Sequence, residues 1–148
     1  MITWDGASFT GAKLAAVHDG KLLTYRRDNR PDIPFPGLID LPGGGREGNE
    51  SPADCALREL YEEFGIMLSP ARLHYVRAYQ LSWYRPVPSY FLAANLTAAE
   101  VAAVRFGNEG EDWRLMAIAD FVAHTDAVPH LQERVIDFLR GTDGDPVL

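Results

Sequence analysis

Cysteine is nearly absent: Cys55 stands alone, so no disulfide can form within these 148 residues, which fits a reducing compartment. Long apolar runs are missing too. No stretch approaches the roughly eighteen residues needed to cross a bilayer, and the N-terminus lacks a basic segment followed by an apolar core. Positive charge is scarce, with 14 Lys and Arg against 21 Asp and Glu, a net charge of −7 and a pI near 5.0. Such a surface repels a phosphate backbone and excludes non-specific binding to nucleic acid. Repeats and low-complexity linkers are also lacking. What is present, 47% apolar content in 148 residues, suits one domain with a sizeable core. We expect a single domain over 1–141, a flexible tail over 142–148, a cytoplasmic location, no membrane partner, and a monomer or homodimer.

The densest signal lies between residues 44 and 66. Ser51 is a good N-cap, Pro52 suits the first helical position, and Asp54 three residues after the cap completes an acidic form of the capping box. Leu57, Leu60, Tyr61 and Phe64 recur at the helical period, and Gly65 is a C-terminal stop. On that helix Glu59, Glu62 and Glu63 stand at i, i+3 and i+4, and a 100° rotation per residue puts them opposite the apolar stripe. Like charges so placed repel one another. A hard divalent cation turns that repulsion into ligation. Cys55 falls on the acidic side, but no basic neighbour in sequence lowers its pKa, so it reads as a small packing residue. Six acids in this segment (Glu47, Glu50, Asp54, Glu59, Glu62, Glu63) face only Arg46 and Arg58. A phosphorylated ligand would be repelled there without a metal.

Ahead of the helix, Leu41-Pro42-Gly43-Gly44-Gly45 lets the backbone turn sharply and approach a ligand closely. Gly44, Glu50, Arg58-Glu59-Leu60, Glu62-Glu63 and Gly65-Ile66, at these spacings, resemble the signature box of the Nudix hydrolases at every fixed position. The resemblance implies an α/β/α sandwich with a mixed sheet, the box forming a loop-helix-loop at its edge. It also implies Mg²⁺, with Mn²⁺ as a substitute, and hydrolysis of a nucleoside diphosphate linked to another group. The chemistry is consistent, because a diphosphate bridge resists attack by water until its charge is neutralised and hydroxide is available near neutral pH.

On that resemblance, the metal ligands are Glu59, Glu63 and the Gly44 carbonyl, with Glu62 on the same or a neighbouring ion. The base stays open among Glu59, Glu62 and Glu109. Glu109, which with Gly110-Glu111 precedes Trp113, resembles the acidic-loop residue of MutT-type members and counts as a metal ligand as well; Glu111 is the runner-up. Arg58 orients a box glutamate through charge-assisted hydrogen bonds. Arg26 and Arg27, Gln132, and Tyr84 are the implied substrate contacts, for phosphate or base, purine edge, and stacking respectively, with Trp83 a second stacking aromatic. The nucleotide expected first is a nucleoside triphosphate, including 8-oxo-dGTP, cut to the monophosphate and pyrophosphate. Dinucleoside polyphosphates, ADP-ribose or nucleotide sugars are the enzymatic alternatives, and a non-catalytic nucleotide sensor is the alternative from another class. Subgroup marks are thin: after Leu22-Leu23-Thr24-Tyr25-Arg26 the alternating Arg and Gly of the coenzyme A pyrophosphatases are missing, and Ser82 stands where ADP-ribose enzymes carry proline.

Elsewhere, strand-like runs at 13–18 and 22–27 flank Asp19-Gly20, a hairpin signal. Strands are expected at 38–41, at 73–84 and 89–95, separated by Pro86 and Pro88 and pairing antiparallel, and at 113–116. Thr97 with Glu100 marks a short capped helix, and Leu131, Val135, Phe138 and Leu139 mark a last amphipathic one.

Overall fold

Asp19 and Gly20 both take positive φ, 50° and 73°, as the twist of a two-residue hairpin loop requires, and join β1 (Gly11–His18) to its antiparallel partner β2 (Lys21–Arg26). The computed structural model describes residues 4–82 and 85–141. Among them run β3 (Ile39–Asp40), β4 (Gly43–Gly45), α1 (Pro52–Phe64), a 3-10 turn at Pro70–Arg72, β5 (Leu73–Ser82) and β6 (Arg85–Asn95). Then come α2 (Ala98–Ala102), β7 (Asp112–Ala117), α3 (Ile118–Ala123) and α4 (Pro129–Arg140).

These strands form one mixed sheet in the order β3-β2-β1-β6-β5, with β4 added to β1 and β7 to β2. Only β1 and β6 run parallel, Lys13 facing Phe91 and Ala15 facing Ala93; β5 and β6 pair antiparallel as expected. Side chains alternate between faces along a strand. Leu14 and Ala16 of β1 therefore pack with Leu60 and Phe64 of α1 on one face, while Ala15 packs with Phe121 of α3 and with Leu131 and Val135 of α4 on the other. Helices thus cover both faces, as the sandwich reading requires. No helix among the described residues is long and apolar enough to cross a membrane.

Local signals held where chemistry is local. Ser51 accepts from the Asp54 amide at 3.1 Å, Pro52 opens α1, and Gly65 closes it at φ 71°. Thr97 and Glu100 form a reciprocal capping box on α2.

Four expectations need correction. Tyr61 is not in the apolar stripe but 55% exposed; the buried apolar stripe runs through Ala53, Ala56, Leu60 and Phe64, turned by about 45° from the expected one at ~100° per residue. The acidic and core faces are not separated, because β4 lies along the helix flank and buries both Cys55 and Glu63. Ser51 makes only its own half of the capping box, with Asp54 contributing its amide and not its carboxylate. Pro86 and Pro88 lie within β6, where they had been expected to separate two strands. Three elements had no expectation attached, the three-residue β4, the 3-10 turn at Pro70–Arg72 and the six-residue α3. Trp83, Tyr84 and 142–148 lie outside the described residues.

Candidate active site

Arg58 organises the acidic flank of α1. Its guanidinium makes a bidentate pair with Glu50, Nε at 2.6 Å and Nη2 at 3.0 Å, and Nη1 donates to Glu59 at 2.9 Å and to Glu62 at 2.8 Å. Nη2 also reaches the Gly45 carbonyl at 2.9 Å, so one arginine ties the glycine loop to three carboxylates. Its hydrogen bonds with Glu50 hold that carboxyl below the usual carboxylate range. Arg58 thus hydrogen-bonds three glutamates of the box, Glu50, Glu59 and Glu62.

Glu63 is placed differently. It is 6% exposed and accepts the Gly43 amide at 2.9 Å, bracing the loop against the helix. Burial pushes its carboxyl up to about 8, a rise that Lys13 and the Gly43 N–H only partly offset. Burial also raises Glu59, with Arg58 opposing. Glu59 meets the glycine loop directly: a Cβ on Gly44 would stand 2.7 Å from its carboxylate, so only glycine permits this approach. The Gly44 carbonyl accepts the Cys55 thiol at 3.6 Å. Burial lifts that thiol to about 11, which agrees with a packing role.

Glu59, Glu62 and Glu63, beside the Gly44 backbone, form an all-oxygen donor set, and its chemistry fits a hard divalent cation. Among the described residues, however, no three acidic, histidine or cysteine side chains converge into a finished metal cluster. Arg58 engages both Glu59 and Glu62.

The loop bearing Glu109 reaches the far end of the same helix. Gly107 donates to the Glu63 carbonyl at 2.8 Å, and the Glu111 amide donates to the Arg26 carbonyl at 2.9 Å. Gly110, at φ 91°, has no room for a Cβ against the Arg26 carbonyl at 2.8 Å. Glu109 itself is exposed, and no hydrogen bond or ion pair joins it to the box among the described residues.

Lys13 and Asp40 carried no sequence expectation. Asp40 is buried and receives Lys13 Nζ at 2.9 Å, Arg27 Nη1 at 2.8 Å, the Tyr25 hydroxyl at 3.2 Å and the Leu41 amide at 2.7 Å. Burial alone would raise this carboxyl, but Lys13 and Arg27 outweigh it and hold it below the usual range. Lys13 also donates to the carbonyls of Leu41 and Gly43, anchoring the glycine loop from beneath. A lone lysine within the apolar run of β1, and an aspartate between Ile39 and Leu41, were the available signals.

A cleft of about 890 Å³ opens beside Gly44 and Gly45 on the α4 face of the sheet. Its walls carry Lys13, Tyr79, Ser89, His130 and Arg134, with Phe35 packed at a tilt against His130 at a centroid distance of 5.4 Å. Of the substrate contacts implied from sequence, none among the described residues lines it. Arg27 is held by Asp40; Arg26 donates to the Gly37 carbonyl at 2.7 Å and borders, with Glu111, a second cleft of about 560 Å³. Gln132 donates to the carbonyls of Phe121 and His124, closing the end of α3.

A family model for the NUDIX domain matches residues 10–138. The chain belongs to the Nudix hydrolase family. Its fold is that of a MutT protein from Methanosarcina mazei Go1, with TM-score 0.72 and 18% identity over 95% of this chain and 99% of that one. It is similarly close to a Caenorhabditis elegans Ap4A hydrolase, with TM-score 0.64 and 17% identity over 90% and 97% of the two chains. A bifunctional NMN adenylyltransferase/ADP ribose pyrophosphatase from Francisella tularensis, crystallised with AMP and a manganese ion, matches at TM-score 0.70 and 17% identity; the match covers 91% of this Nudix chain and 42% of that one. No curated protein sequence matches the chain.

Proposed function

We propose that this Nudix hydrolase cleaves a diphosphate linkage with Mg²⁺ as cofactor, acting first on nucleoside triphosphates to release the monophosphate and pyrophosphate. One observation supports this most: Glu59 and Glu63 meet the Gly43-Gly44-Gly45 loop, with Glu62 joined to it through Arg58, where that loop borders a cleft large enough for a nucleotide. Residues 1–141 act as one unit in this reading. Glu59, Glu63 and the Gly44 carbonyl hold the ion, with Glu62 on the same or a neighbouring one. Bound there, the ion neutralises phosphate charge and lowers the pKa of water toward neutrality. The chain's own part is to place oxygens and move a proton. Arg58 keeps Glu59 and Glu62 on the loop side of α1, Lys13 and Glu63 brace the loop, and a glutamate accepts the proton of the attacking water. Glu59, Glu62 and Glu109 are the three positions for that base, Glu59 against Gly44, Glu62 on Arg58, and Glu109 on a segment tied to the end of α1.

Dinucleoside polyphosphates are the second substrate class, favoured by the size of the cleft and by the similarity in fold to an Ap4A hydrolase. The test is a panel of nucleoside triphosphates, dinucleotides and nucleotide sugars with and without Mg²⁺, repeated for Glu62→Gln and Glu109→Gln. Metal-dependent release of a monophosphate supports the proposal. No cleavage of any member leaves a nucleotide-binding sensor instead.

A further inference from the structure

Arg134 of α4 is 6% exposed, yet it makes no hydrogen bond or ion pair among the described residues; its one specific contact is the Tyr79 ring, 4.4 Å from the guanidinium. An arginine cannot shed its charge, and it carries five N–H donors in a planar fork. The nitrogens of Arg134 are not fully enclosed, so they open to the cleft, where an acceptor can reach them. Directly across the strand pair from Tyr79 lies Ser89, 8% exposed, whose Oγ has no hydrogen-bond partner among the described residues. Arg134, Tyr79 and Ser89 all line the cleft beside Gly44 and Gly45. Beside the Tyr79 ring, which the Arg134 and Arg77 guanidiniums approach at 4.4 and 4.6 Å, the Arg134 donors and the Ser89 Oγ, unpaired among the described residues, make a wall suited to a ligand with acceptor atoms on its edge.

The third donor in this wall, Lys13, is already saturated by Asp40 and two carbonyls. In the diphosphate-hydrolase reading the phosphates lie against the glycine loop, which forms the cleft wall at Gly44 and Gly45, while Glu133 lines the cleft from the same helix as Arg134. The Arg134 end is left for the base.

We propose that Arg134 is a specificity-determining residue of the hydrolase, its fork taking the O6 and N7 acceptors of a 6-oxopurine, guanine or hypoxanthine, while Ser89 makes a further polar contact to the same ring. Adenine offers a donor, N6–H₂, beside N7 and meets the fork with the wrong polarity; pyrimidines lack the paired acceptors. This rests on the diphosphate-hydrolase reading and narrows its substrate.

The experiment is calorimetric titration of GMP, IMP and AMP into the unmodified protein, then into Arg134→Gln and Ser89→Ala, with thermal melting to confirm folding. Expected is similar affinity for GMP and IMP, about tenfold or more tighter than AMP, the value of one bidentate pair. Glutamine pairs with adenine N6 and N7, so Arg134→Gln should reverse the order, a change that loss of packing alone does not produce. Ser89→Ala should weaken GMP and IMP alike. Equal affinity of the unmodified protein for all three nucleotides overturns the assignment. So does displacement of GMP by inorganic pyrophosphate through a site that Arg134→Gln abolishes, since that places phosphate at the arginine. A parallel triphosphate hydrolysis assay with Mg²⁺ separates this from the reading beneath it. Cleavage without 6-oxopurine preference overturns the Arg134 assignment alone, and tighter GMP binding without any cleavage supports Arg134 while removing the hydrolase.

Discussion

The amide of Gly43 donates to the buried carboxylate of Glu63 at 2.9 Å, so the glycine loop and the acidic helix are one mechanical unit. Whatever changes the charge on Glu63 changes the loop that would face the phosphates.

That coupling gives a pH prediction. In the metal-free protein the Glu63 carboxyl is raised from 4.5 to about 8, so the folded state keeps a proton that the unfolded state releases. The stability this contributes is fully present below pH 4.5 and is lost as pH rises through about 8. Urea denaturation in EDTA between those limits should show the unmodified protein losing stability more steeply than Glu63→Gln. Parallel curves for the two proteins refute the assignment. Glutamine can still accept the Gly43 amide but cannot bind an ion as carboxylate does. Mg²⁺-dependent activity should therefore drop by at least ~100-fold, given that outer-shell partners alone are worth 10- to 100-fold.

Neighbouring glycines should fail in different ways. A Cβ on Gly43 runs into the Ala12 carbonyl and stands 2.7 Å from Lys13 Cα, with φ at 140°, so Gly43→Ala collides with backbone. It should lose more than about 2 kcal/mol of stability by denaturant titration. Gly44→Ala meets only the Glu59 carboxylate, the movable end of a side chain. It should melt within a few degrees of the parent yet lose most of its activity, because the carboxylate is displaced. A Gly44→Ala protein with full activity would remove Glu59 from the site.

Asp40 has two cationic partners, and Lys13 alone also holds the loop. Lys13→Met should destabilise by on the order of 3 kcal/mol, since it leaves a buried carboxylate half-compensated. If Lys13→Met and Asp40→Asn cost less together than the sum of each alone, in a double-mutant cycle, the pair is coupled as the distances indicate. Additive losses would show that it is not.

Arg58 occupies Glu59 and Glu62. Arg58→Ala removes that competitor for the carboxylates and also their orientation. The metal-free protein should be less stable, because like charges then face each other unscreened, and added Mg²⁺ should recover more stability in this variant than in the parent. Catalytic turnover should nonetheless fall by roughly 10- to 100-fold. Unchanged turnover would reduce Arg58 to a surface ion pair.

How much could be read from residues alone follows the range of the interactions. Ser51, Pro52 and Gly65 bound α1 through contacts a few residues long, and Asp19-Gly20 sets its own turn. The box was visible because its spacing encodes a helix face and a loop. Tyr61 was misplaced because periodicity gives a stripe's existence, while the partner surface sets its rotation; small Ala53 and Ala56 allow the sheet to approach on that side. Burial of Glu63 depends on Gly43, twenty residues earlier, and on Lys13, fifty earlier. The Arg134–Tyr79–Ser89 wall joins two strands and the last helix, and no local pattern announces it.

The central claim is that the box carboxylates take a hard cation and so make a phosphoanhydride attackable. Calorimetric titration of Mg²⁺ in the presence of a non-hydrolysable nucleoside triphosphate tests it most directly. The account predicts binding to the unmodified protein that disappears when Glu59 and Glu63 are both replaced by glutamine. Magnesium binding that survives both replacements, or none in the unmodified protein, would contradict it.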